Sequence, residues 1–154
     1  MRNAAGLSEH EIANCQTTWA VIGGLRLGEL IAEGATRSGS RTVYSETRRR
    51  VILGADVKPA TGVSPAAAAR DRMSIAAVLA HELAHGDRHL KGFSRPFGRP
   101  DIDPDSLVDE AETSLEASFN PFLKPTDRRI LVEDARDQLD QRLQRPFVSL
   151  ETDR

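Results

Sequence analysis

The chain has 154 residues, 39% hydrophobic and 29% charged, an ordinary balance for one globular domain with enough chain to bury a core. A formal net charge of −2 gives no reason to expect a nucleic-acid or anionic-membrane partner, and no apolar run reaches bilayer-spanning length. Cys15 is the single cysteine, which excludes an internal disulfide; with no secretory signal at the start, the expected compartment is the cytoplasm.

Residues 1–6 are expected to be loose. Ser8-Glu9-His10-Glu11 reads as a capping box, with Ser at the N-cap, Glu three residues on, and Leu7 and Ile12 as a flanking hydrophobic staple. The helix that follows carries Ile12, Cys15, Trp19 and Ile22 at spacings of three, four and three, and Gly23-Gly24 breaks it. Cys15 reads as a small buried hydrophobe and His10 as an exposed first-turn residue. After a turn-rich linker at 36–40, residues 41–45 and 50–53 read as two short strands. Arg48-Arg49-Arg50 then falls in a solvated hairpin turn. Ser64-Pro65 has the form of a helix start, and the apolar run through Leu83 and Ala84 leads to Gly86 as a C-cap. Residues 87–101 read as a long loop. Asp103-Pro104 opens a helix reaching about Phe119, and Thr126 caps a last one over residues 127–144, with Leu131, Ala135, Leu139 and Leu143 on one stripe. Residues 146–154 are expected to fray. The sum is an α+β domain, mostly helical, with a short antiparallel sheet beside the apolar central helix.

That central helix carries the chemistry. His81-Glu82-Leu83-Ala84-His85 is a His-Glu-x-x-His pattern, and on a helix its imidazoles stand one turn apart on one face, where a single Zn²⁺ can take both. Glu82 then lies beside the metal, placed to take a proton from a water that the metal acidifies. Two histidines and a glutamate in so apolar a helix need a partner, since unpaired buried polar groups are costly.

A catalytic zinc usually has a third protein ligand. On the helix that follows, Leu107, Val108, Ala111, Leu115 and Phe119 define an apolar face. At 100° per residue, Glu112 lies about 70° from its centre, Glu116 about 110°, and Asp109 and Glu110 about 130°. Glu112 is therefore the expected third ligand, with Glu110 the second choice. Asp109 and Glu116 flank Glu112 and are candidates to accept from a ligand's free ring N–H. His89 lies four past His85 and shares its stripe only if the helix continues through Gly86. A donor for the transition state would come from Tyr44, the single tyrosine, or from His89. The strand near residues 51–53 is a candidate edge for an extended substrate.

The arrangement resembles the gluzincins, zinc peptidases with HExxH on one helix and a glutamate on the next, and more narrowly the ImmA/IrrE-type metallopeptidases. The resemblance rests on His81-Glu82-Leu83-Ala84-His85, the preceding strand, Glu112, and the segment 112–125 with its apolar pair and Pro125. Leu115-Glu116 stand where that family usually has Ala-Asn. It covers residues 41–125 and implies a minimal zincin-like fold, within a single domain over residues 1–154, and one Zn²⁺ held by His81, His85 and Glu112, with Glu82 as general base. The implied activity is an endopeptidase cleaving a specific protein partner, such as a repressor or co-encoded regulator, in a bacterial stress or defence response. The alternative is a zincin scaffold without turnover, acting as a binding subunit of a larger complex.

Overall fold

The computed structural model describes residues 1–93 and 105–144. Of the loop expected at 87–101, residues 87–90 are helical and 94–101 lie outside the described residues, as do the Asp103-Pro104 helix opening and the 146–154 tail. Helix α1 (Glu9–Val21) starts on the expected reciprocal cap: Glu11 N donates to Ser8 Oγ at 3.1 Å and Ser8 N to Glu11 Oε1 at 3.0 Å. Its end follows from two glycines. Gly23 takes a left-handed φ of 87°, and Gly24 sits so close under Trp19 that a Cβ there would meet the indole at 2.1 Å. A 3₁₀ turn (Gly24–Leu27) follows, and Trp19 Nε1 donates to Gly28 O at 2.8 Å. Cys15 is buried in this corner, and burial pushes its thiol up to about 11, in keeping with an apolar role.

Strands β1 (Val43–Ser45) and β2 (Arg50–Ile52) pair antiparallel with Tyr44 opposite Val51. Arg48 and Arg49 are exposed in the turn between them, Arg49 at φ 51°. Ile31 occupies the other side of β2: its N–H donates to Val51 O at 2.9 Å and its carbonyl accepts from Leu53 N at 2.8 Å. The strand expected to offer a substrate edge is thus flanked on both sides, and the outer edge of this sheet belongs to β1.

Residues 1–6 are not loose. The Arg2 guanidinium donates to the carbonyls of Asp56 at 2.9 Å, Val57 at 2.7 Å and Met73 at 2.7 Å. The start of the chain is thereby tied to the segment that leads into the central helix. Ser64-Pro65 does not begin that helix. A short α2 (Ala69–Arg72) comes first, and α3 (Ile75–Leu90) starts at Ser74, whose Oγ accepts from Ala77 N at 3.1 Å. Gly86 is not its C-cap but an interior residue. A Cβ there would lie 2.5 Å from Leu27 Cδ2 and 3.1 Å from Tyr44 Cε1, so the glycine is where α3 makes its closest approach to the 3₁₀ turn and β1.

Helices α4 (Asp105–Ser118) and α5 (Pro125–Leu143) pack on each other and on α3. Leu131 and Ala135 of α5 are buried as expected, but Leu139 and Leu143 are exposed, and Asp134 and Gln138 fill the inward positions instead. The architecture is α+β and mostly helical, with a two-stranded antiparallel sheet among the described residues. No described helix is long and apolar enough to cross a membrane.

Candidate metal centre

His81 and His85 lie one turn apart on α3, both buried, with ring centroids 4.7 Å apart and planes at 84°. Each ring turns its Nε2 to the same atom. Glu110 Oε2 stands 2.7 Å from His81 Nε2 and 3.3 Å from His85 Nε2. The ligand atoms of these three residues lie within 4.8 Å of one another. Zinc bonds of about 2.0–2.1 Å in a tetrahedron put neighbouring ligands roughly 3.3 Å apart, so a small rearrangement opens the cluster to an ion.

The far sides of the rings set their tautomers. Ser114 Oγ donates to Asp134 Oδ2 at 2.7 Å, so it accepts from His81 Nδ1, 2.8 Å away. Thr113 Oγ1 donates to Asp109 O at 2.7 Å and is left as an acceptor for His85 Nδ1 at 3.5 Å, a longer contact. With the protons on Nδ1, each neutral ring points an Nε2 lone pair at a carboxylate oxygen. Two imidazole nitrogens and one carboxylate oxygen gathered in this way form a set that could hold a metal ion, and their chemistry fits zinc.

The helix-phase expectation for the third ligand is corrected here. Glu112 faces outward, its side chain 56% exposed and 3.5 Å from Arg88. Glu110, the second choice, is the carboxylate at the histidines. The apolar-face reading failed because α4 seats itself through small and hydroxyl side chains: Ala111, Thr113, Ser114, Ala117 and Ser118 are buried, while Leu115 and Phe119 are exposed. Asp109 pairs with Arg88 at 3.2 Å and Glu116 stands 3.8 Å from Lys91, so neither carboxylate accepts from a ligating histidine. His89 does lie on the continued helix, but its Nδ1 is 2.8 Å from Tyr44 Oη, away from the cluster. Sequence reasoning missed Thr113, Ser114, Asp134 and Arg70. The i, i+3, i+4, i+7, i+8 run Glu110, Thr113, Ser114, Ala117, Ser118 was the available signal for the first two.

Glu82 is buried beside the cluster, and its Oε1 accepts from Tyr44 N of β1 at 2.9 Å. A cavity of about 470 Å³ opens in front, lined by His81, Glu82 and Glu110, by Thr42 and Val43 at the start of β1, and by Arg2, Arg41 and Arg70.

The Ser114 hydroxyl is the simplest part of this centre to test. Ser114→Ala is expected to weaken zinc binding about 30-fold, because it removes the acceptor that orients His81. Titration against a chromophoric chelator reads the change, and affinity equal to the parent's would remove Ser114 from the metal site. No protein-family model, no curated protein and no solved structure matches the chain.

Proposed function

We propose that this chain is a zinc-dependent endopeptidase of gluzincin type, with His81, His85 and Glu110 as metal ligands and Glu82 as general base. The convergence of two imidazole lone pairs and one carboxylate oxygen, with both rings held from behind, carries the reading. When bound, zinc would supply Lewis acidity toward a peptide carbonyl and the attacking water. Glu82, on the same cavity wall as His81 and Glu110, takes the proton of that water and returns it to the leaving amine. The cavity is bordered by Arg41, Thr42 and Val43 where the chain enters β1, and we take an extended or locally unfolded segment of another protein as the fitting substrate. A specific protein partner, such as a regulator in a bacterial stress or defence response, is the kind of target proposed. The lone buried Cys15 suits a reducing compartment such as the cytoplasm.

The test is to load the purified chain with zinc, incubate it with a proteome-derived peptide mixture and read new termini by mass spectrometry. One zinc per chain and cleavage at a restricted set of sites, lost on chelation and restored by zinc, are expected. Free zinc at about 1,000 times its Kd is expected to stabilise the fold by about 4 kcal/mol, raising Tm by roughly 10 °C. A chain that takes up no zinc would overturn the reading.

A further inference from the structure

Peptide hydrolysis needs a donor for the carbonyl oxygen as it turns negative. The two residues nominated from the sequence, Tyr44 and His89, are bonded to each other, and neither is on the cavity wall. Arg70 is on that wall with His81, Glu82 and Glu110. Its Nη2 lies 3.3 Å from Glu110 Oε2, the oxygen shared by the two histidines. Asp134 clamps the guanidinium from behind, accepting from Nε at 3.3 Å and from Nη2 at 3.1 Å. Nη1 makes no hydrogen bond to a described residue, and the side chain keeps 39% of its surface exposed.

We infer that Arg70 is a catalytic residue, the hydrogen-bond donor to the oxyanion formed in this cavity; the inference rests on the peptidase reading above. Arg70 lines the same cavity as His81, Glu82 and Glu110, so its guanidinium borders the space in which a peptide carbonyl would meet the general base and the metal ligands. Because Asp134 fixes the fork before substrate arrives, the donor needs no reorganisation during the reaction. A guanidinium stays cationic at any working pH, so the donor is always charged. The water oxygen adds to the carbonyl carbon, the C=O π pair moves onto oxygen, and Glu82 takes the water's proton. On collapse the C=O re-forms, the C–N bond breaks, and the proton goes to the amine nitrogen. Arg70 donates throughout without giving up a proton.

The experiment uses a phosphinic pseudodipeptide of two alanines, a tetrahedral anion in the shape of that intermediate, titrated calorimetrically into the zinc-saturated full chain. Arg70→Ala is expected to weaken this probe about 100-fold, the usual loss for one oxyanion donor. Arg70→Lys keeps a charge beside Asp134 and guards against misfolding of the alanine variant. It is expected to weaken the probe about 10-fold, since an ammonium cannot hold both Asp134 oxygens and reach the oxyanion. Affinity within about 3-fold of the parent in a folded variant of either kind would overturn the inference, as would a zinc-saturated parent that does not bind the probe. Either result leaves the peptidase reading standing if the parent cleaves peptides. A parent that binds no zinc sinks the peptidase reading first.

Discussion

Replacing Glu82 by Gln is expected to lower zinc-dependent peptide cleavage by about 10⁴-fold while leaving zinc affinity and thermal stability close to those of the parent. The separation follows from where Glu82 stands. It is not one of the three converging ligands, so its loss takes no donor from the metal. Its Oε1 accepts from Tyr44 N, and the carbonyl oxygen of a glutamine can accept the same bond, so the contact between α3 and β1 survives. What the amide lacks is a site basic enough to take the water's proton. Cleavage read by mass spectrometry, beside zinc titration and a thermal melt, checks all three quantities. Unchanged cleavage would remove Glu82 from the mechanism. A parent that binds zinc but cuts nothing would instead favour the silent scaffold, a binding subunit without turnover.

Glu110→Gln is expected to weaken zinc binding by about 100- to 1,000-fold, the share of one ligand in a binding free energy of roughly 10–16 kcal/mol. Glu112→Gln is expected to change it by less than about 2-fold, because an exposed ion pair contributes little. The two glutamates are two residues apart in sequence and nearly opposite on the helix, so the pair of variants tests the rotational setting of α4 directly. Equal losses from both, or a larger loss from Glu112, would overturn the assignment of Glu110. The same titration that reads Ser114→Ala serves here.

Much of the fold is visible in short-range chemistry. The Ser8–Glu11 box is complete within four residues, and the two strands and their arginine-rich turn follow from residues that neighbour each other. The central motif is equally local, since a spacing of four on a helix puts both imidazoles on one side. The errors share a cause, which is that distant partners decide. Ser64 has the form of an N-cap, yet Ser74 is the residue that starts α3; its Oγ also donates to Asp127 Oδ1 at 2.6 Å, fifty-three residues away. Gly86 looks like a stop, but the absence of a side chain serves the contact with Leu27 and Tyr44. The choice of Glu112 requires Leu115 and Phe119 to face inward, and both are exposed. The groups that α4 meets are imidazole N–H donors and the Asp134 carboxylate, and a hydroxyl can accept from the one and donate to the other. Arg70 was invisible for the same reason, its two carboxylates lying forty and sixty-four residues further on.

An interface of hydrocarbon tolerates sliding, because one methyl grips much like the next. The face that α4 turns inward has no such latitude. The Ser114 and Thr113 hydroxyls meet directional partners, and a twist of one residue, about 100°, would take the Ser114 hydroxyl from Asp134 and the acceptors from both rings at once. The atoms that lock this helix in its seat are therefore the same atoms that aim the imidazoles. Architecture and chemistry cannot drift apart here, and a change that loosens the one is written into the other.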